Sequence, residues 1–291
     1  MEKLKEYKGF NLYTKKPNTI SKGALYAKKI KIEGDIKDNE RLIRVYLPSN
    51  YDFNNPDNRF PVMYMMDGKN LFDDYTSFVG EWHVDETIEK YVKQNGKGMI
   101  VVGIDSAIDG KDRRDEMLIE SDVYEKKMIG DEANDLKGKG SIIANYIFTE
   151  LKPMIDDAFY TKPDRNNTAV GGSSMGGLYA FYMGTKYRND VAFSLCFTPA
   201  FAFYKKKLFI KDLKKYIKSP EGFGKYFFFV GGIGLEKVLE PLTTITANHL
   251  ANVGFNEKQV RYIYDSAQVH NEEPWSFYFD VAIKWWGILE K

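Results

Sequence analysis

The sequence predicts an α/β fold in which a mostly parallel central sheet is covered by helices on both faces. Three observations carry that expectation. Compact apolar runs at 61–66, 97–105, 191–197 and 226–230 read as strands buried on both faces, since they lack a regular polar alternation. Between them lie longer segments with apolar residues at helical spacing, as at 142–159 and 236–254. Strands and helices of these lengths alternate along the chain, which is the order that crossover units of a parallel sheet require.

Taken in order, residues 1–25 read as a polar lead-in, and 25–32 and 41–47 as strands separated by the turn-rich EGDIKDNE. Residues 48–58 are rich in Asn, Asp, Ser and Pro and read as a loop; the strand at 61–66 then ends in Asp67-Gly68. After GEWHV an amphipathic helix runs to about residue 94, and the strand at 97–105 is followed by the charged loop DGKDRRDEM. Residues 106–140 are expected to form a surface excursion. The 142–159 helix and a turn at 164–167 lead into AVGGSSMGGLYAFYMG. A strand at 191–197, a stretch at 201–221 holding an amphipathic helix, a strand at 226–230 ending in Gly231-Gly232, a helix at 236–254, a strand at 259–264 and a closing helix at 274–289 complete the chain. No repeat, low-complexity tract or long linker interrupts it, so residues 1–291 are expected to form one domain.

Composition bounds the function. With 42 basic and 41 acidic side chains the formal charge is +1, which gives no global steering toward nucleic acid or anionic lipid; Lys205-Lys206-Lys207 and Lys214-Lys215 read as solvated faces. Cys196, the single cysteine, sits in an apolar run as a buried, inert thiol. No stretch of 18 apolar residues and no N-terminal apolar segment occurs, so a soluble, cytoplasmic protein without membrane or nucleic-acid partners is expected. Nothing specifies an oligomeric state.

The glycine-rich stretch is the most informative. Gly172-Ser173-Ser174-Met175-Gly176 fits G-x-S-x-G with Ser174 as nucleophile, whereas Ser173 would need a glycine where Met175 stands. A serine on a sharp strand-to-helix turn projects its hydroxyl above the sheet, and the Met175 N–H at the helix start faces a developing oxyanion. No GKS or GKT follows, so a phosphate loop has no support.

A serine needs a base, and the chain offers only His83, His249 and His270. His249 lies inside a helical segment and is expected to pack. His83 precedes a helix, where a substrate-pocket role is conceivable. His270, after the last strand, stands where the base follows nucleophile and acid in chain order. For the acid, Glu236 after the strand FFFV is the first choice, with Glu240 one helical turn later and Asp265 at a strand end as alternatives. No metal or cofactor is called for: histidines are sparse, H-E-x-x-H is missing and Cys196 has no partner thiol. Asp67 is explained by turn formation, and Asp73 and Asp74 read as solvated.

Together, PVMYMMDGKNLF, GEWHVDETIEKYV, MIVVGIDS with Arg114 and Glu116 beyond it, TELKPMIDDAFYTKPDRNNTAVGGSSMGGLYAFYMG, FTPAFAF, and His270 with Trp275 are more specific than the serine motif alone. The chain resembles, over most of its length, the putative-esterase family of α/β-hydrolases, which includes enterochelin-type, feruloyl and acetylxylan esterases and S-formylglutathione hydrolase relatives. The resemblance implies an α/β-hydrolase fold and a second oxyanion N–H from Gly68 or Lys69. It also implies that Trp82 and the region after Asp105 line the acyl or leaving-group side. Two departures stand out: Gly232 and Glu236 are four residues apart, and Val269 replaces the usual Gly before the histidine.

The expected function is a serine carboxylic-ester hydrolase acting through an acyl-enzyme on a small, aromatic or sugar-linked ester, with Trp82, Phe201 and Phe203 as candidate pocket walls. A siderophore ester is an alternative substrate. The competing class is a binding protein that keeps the fold without turnover.

Overall fold

The computed structural model describes residues 3–37, 39–119 and 124–290, the Glu132 side chain excepted. Asp38 and residues 120–123 of the expected excursion lie outside the described residues. One ten-stranded sheet organises them: β1 (Glu6–Tyr7), β2 (Phe10–Leu12), β3 (Ala24–Lys31), β4 (Glu40–Leu47), β5 (Val62–Met66), β6 (Ile100–Ile104), β7 (Thr168–Ser173), β8 (Phe193–Phe197), β9 (Lys225–Gly231) and β10 (Val260–Asp265). Their spatial order is β1-β2-β3-β4-β6-β5-β7-β8-β9-β10. The first four strands and the β4–β6 pairing are antiparallel, and from β6 to β10 every pairing is parallel.

The helices are α1 (Val84–Asn95), α2 (Gly110–Met117), α3 (Lys126–Ile129), α4 (Gly140–Tyr146), α5 (Lys152–Ala158), α6 (Met175–Lys186), α7 (Lys206–Tyr216), α8 (Glu236–Asn252) and α9 (Glu272–Trp286). A π turn, Ile147–Leu151, joins α4 to α5, so the single helix expected at 142–159 is continuous but locally widened. Pro153 enters at the start of α5. With no N–H to give, proline cannot continue an ordinary helical ladder, and a wider turn relieves the crowding.

Alternation along the strands builds two cores. Tyr64, Met66, Val170, Cys196, Tyr226 and Phe228 bury into one face against α4–α6 and α8. Met63, Met65, Leu195, Phe197, Phe227 and Phe229 bury into the other, with Trp82, Ile88, Phe279 and Ile283 of α1, α9 and their approaches. Because the side-chain period is 2, a strand apolar at every position requires cover on both faces, as the sequence pattern predicted.

Two elements differ from the sequence expectation. The polar lead-in contains β1 and β2, joined by Lys8 and Gly9 at φ +48° and +80°. That is a two-residue hairpin turn with positive φ at both positions, too short to show a hydrophobic period. The charged loop DGKDRRDEM is helix α2: the Asp109 side chain caps it by accepting from the Lys111 and Asp112 N–H groups, and only its last residues, Glu116 and Met117, are buried. No helix of the described residues is long and apolar enough to cross a membrane.

Candidate functional site

Parallel strands bring their C-terminal ends to one edge, and the register sets those ends level: Ser173 is opposite Phe197, Phe197 opposite Phe229, and Asp265 opposite Gly231. The chain runs from β5 outward to β6 and then back past β5 to β7. A crevice forms beyond the strand ends where the winding reverses in this way, and here it lies between the β5 and β7 ends.

Ser174 occupies that crevice at φ 54°, ψ −117°, between β7 and α6. For a residue with a Cβ this backbone is strained, costing on the order of 1–3 kcal/mol, and strain of this kind persists only where surrounding structure enforces it. The enforcement is visible. The Ser174 N–H donates to Phe197 O at 2.9 Å, and its carbonyl accepts from the Leu178 and Ala200 N–H groups at 3.0 and 2.9 Å. Gly172 is required by close approach, since a Cβ there would stand 2.6 Å from the Gly176 carbonyl carbon. Met175 opens α6, so its N–H has no acceptor within the helix and is directed off its start.

Across the crevice, β5 ends in Asp67, left-handed at φ 58°, ψ 47°, and a 3-10 turn Gly68–Asn70. Gly68 packs on the backbone of the neighbouring strand, where a Cβ would fall 2.6 Å from the carbonyl carbon of Gly103. Asp67 does more than form this turn. Arg113 grips it from α2, with Nε 2.9 Å from Oδ1 and Nη2 2.6 Å from Oδ2, and the Ser106 hydroxyl donates to Oδ1 at 2.7 Å. Arg113 Nη1 also lies 3.6 Å from Met175 Sδ, so one guanidinium touches both sides of the crevice. Burial pushes the Asp67 carboxyl up, but the Arg113 charge and these hydrogen bonds outweigh it and hold the group below its usual value. A depressed carboxyl contributes its stability above the unfolded pKa and loses it only as pH falls through the folded value. The clamp therefore stays charged at neutral pH and weakens only in acid, below about pH 4.

His270 lies in the loop between β10 and α9, and its Nδ1 is 2.9 Å from Glu236 Oε1. Glu236 is fully buried at the start of α8, and its second oxygen, Oε2, accepts the Gly231 N–H at 3.0 Å. The two loops are tied together because Gln268 O accepts from both the Gly232 and Ile233 N–H groups, each at 3.1 Å. The remaining candidates for the acid are engaged elsewhere. Glu240 bonds Thr244 and Tyr262, while Asp265 accepts from Ala267, Gln268 and Tyr278. His249 contacts Ile217 O at 2.9 Å, consistent with a packed helix residue.

An aromatic chain links the two halves of the site. Trp82 stacks on Phe197 at 5.5 Å and meets Trp275 at 5.7 Å, and the His270 ring stands edge-on to Trp275 at 5.0 Å. Trp82 and Phe201, expected to line a pocket, are 3% and 1% exposed. Trp82 packs among the Phe197, Trp275 and Phe279 rings, and Phe201 lies between Phe181 and Phe209 and lines a cavity with Leu178 and Tyr182. Asp73 corrects another expectation: it is buried, accepting from Tyr13 and from the Thr19 and Tyr75 N–H groups, and only Asp74 is exposed. The Asp67–Arg113–Ser106 clamp escaped sequence reading because its members come from a strand end, a loop and a helix that reads as a solvated charge run. Glu116, singled out by resemblance, instead pairs with buried Arg41 and accepts the Ala107 N–H at 2.8 Å.

A protein-family model described as "Putative esterase" matches residues 36–216. No curated protein matches the chain in sequence. Several solved structures share the fold at low identity. A siderophore hydrolase from Aspergillus nidulans aligns with TM-score 0.67 at 15% identity, covering 91% of this chain and 93% of its own. The BES protein from Bacillus cereus aligns with TM-score 0.63 at 17% identity over 95% and 99% of the two chains. A ferric enterobactin esterase from Salmonella typhimurium gives TM-score 0.66 at 16% identity, covering 91% of this chain and 59% of its own.

Proposed function

Because the chain belongs to the putative esterase family, whose membership supports hydrolysis of esters, we propose that it is a serine carboxylic-ester hydrolase working through an acyl-enzyme. The observation that carries this reading is the bond between His270 Nδ1 and Glu236 Oε1 at the strand edge where Ser174 is held at positive φ. A carboxylate on Nδ1 keeps the proton there and leaves Nε2 free to accept one.

Ser174 Oγ attacks the acyl carbon while its proton passes to His270 Nε2, and Glu236 stabilises the imidazolium that results. The carbonyl oxygen becomes an oxyanion, met by the Met175 N–H and by one N–H of the Gly68–Lys69 turn. Collapse expels the alkoxide, which takes the proton from His270. Water then attacks the acyl-serine with His270 again as base, releasing the acid and restoring Ser174. The Arg113–Asp67 clamp fixes the second oxyanion turn relative to Met175.

The rim supports an ester with an apolar or aromatic part. Phe78 (80% exposed), Ile108 (94%), Ile233, Leu235 and Val269 are exposed on loops that follow β5, β6, β9 and β10, the same edge as Ser174. Exposed apolar side chains on loops around the Ser174 edge support a rim that meets an apolar part of the ester. Aryl esters and esters of aromatic acids, including feruloyl and catecholate siderophore esters, fit this rim better than short acetyl groups on sugars. A kcat/KM panel of methyl ferulate, a catecholate trilactone and acetylated xylo-oligosaccharide ranks these classes.

The assignment of the acid is tested by Glu236→Gln. The amide keeps the shape but can donate to Nδ1, which favours the wrong tautomer, so kcat is expected to fall about 10³- to 10⁴-fold with the circular dichroism unchanged. Glu240→Gln is expected to stay within a few-fold of wild type. If the two results are exchanged, or if Glu236→Gln keeps full turnover, the acid is misassigned.

A further inference from the structure

At the start of α1, Glu81, His83 and Glu86 each offer one donor atom, and the three donors lie within 4.8 Å of one another. His83 Nδ1 is 3.8 Å from Glu81 Oε2 and 3.6 Å from Glu86 Oε1. Donors around one zinc-class ion stand roughly 3–4 Å apart, so side-chain rotation alone brings these into range. The second observation is independent of the clustering. The Glu81 side chain is completely buried, yet its Oε1 has no hydrogen-bond partner, while Oε2 is bonded by the Thr19 hydroxyl at 2.6 Å. Glu86 Oε2 and Asp85 Oδ1 are also buried without a partner. A buried carboxylate oxygen left unbonded is costly, and a cation is the usual remedy.

We propose that Glu81, His83 and Glu86 form a binding site for a zinc-class divalent cation. Two carboxylates and an imidazole match the preference of such an ion, whereas calcium requires six to eight oxygen ligands. Of the charged groups that bear most on Glu81, namely Glu86, His83 and Asp73, only His83 can be cationic, so the cluster carries excess negative charge. The E-x-H-x-x-E spacing escaped the sequence search because no second histidine or cysteine accompanies it. The ion's role is structural. It would fix Glu81, whose other oxygen is already bonded by the Thr19 hydroxyl, and with it the neighbouring Trp82, whose backbone N–H donates to Asn70 O in the turn that follows Asp67.

The experiment is isothermal titration of ZnCl₂ into chelator-stripped full-length protein, with thermal midpoints measured in parallel. Wild type is expected to bind one ion at this site and to melt higher with zinc. Glu81→Gln and His83→Asn are each expected to weaken binding at least 10-fold and to lose the zinc-dependent rise in midpoint. Asparagine is chosen at 83 because the residue is left-handed, φ 51°, a conformation asparagine tolerates. The circular dichroism of both variants is expected to match wild type, and a third variant, Glu86→Gln at a half-exposed side chain, reads the same loss if either of them fails to fold. His270→Asn separates zinc held by the proposed triad's imidazole: it should leave the binding intact. Absence of saturable zinc binding, binding unchanged in His83→Asn, binding lost only in His270→Asn, or calcium binding as tightly as zinc would each overturn the site.

Discussion

Ser174→Ala is expected to lower kcat on a short-chain p-nitrophenyl ester by about 10³-fold or more, while leaving the protein folded. The size follows from the proposed role, in which the hydroxyl forms and breaks the covalent bond to the acyl group. Ser173 is the internal control. It is the last residue of β7, paired with Phe197 and 8% exposed, so its hydroxyl does not share the exposed turn. Ser173→Ala is expected to retain most activity. The contrast between adjacent serines tests the register of the turn and not merely the presence of a serine. Near-wild-type turnover by folded Ser174→Ala would remove the serine mechanism.

His270→Ala is expected to be nearly as damaging, and the double variant with Ser174→Ala no worse than either single one. In the proposed mechanism nucleophile and base act as a unit, so removing the second member costs little once the first is gone. A structural role for His270 predicts a different pattern, namely a lowered thermal midpoint with kcat spared. Its contacts with Glu236 and Trp275 would then serve only to tie α9 to α8. Measured kcat and thermal midpoint for the two single variants and the double variant distinguish these cases, and additive losses in log kcat would contradict joint action.

Much of this architecture was legible because it depends on local rules. Strands buried on both faces announce themselves as apolar runs, and the turn at Ser174 announces itself by glycines that permit a close approach such as that of Gly172 to Gly176. His270 stood out in the sequence as the proposed base because chain order limits where a base can return to the sheet edge that carries Ser174. The choice among Glu236, Glu240 and Asp265 was not decidable from spacing, since it turns on which carboxylate faces the imidazole. The Asp67–Arg113 clamp joins residues 46 apart and depends on α2, a helix held by one aspartate cap and two buried terminal residues. The burial of Asp73 and Trp82 depends on loops folding back onto the sheet. No period in the sequence encodes that.

Whether Ser174 is an activated nucleophile is measured most directly by covalent labelling. Native protein treated with a fluorophosphonate, digested and analysed by peptide mass spectrometry, is expected to carry one stoichiometric adduct on the peptide containing Ser174. Labelling is expected to vanish after heat unfolding and in Ser174→Ala, and to slow at least 10²-fold in His270→Ala, because an unactivated serine hydroxyl reacts poorly. An unlabelled native protein, or an adduct that persists in Ser174→Ala, would contradict that role and leave a hydrolase fold kept for binding.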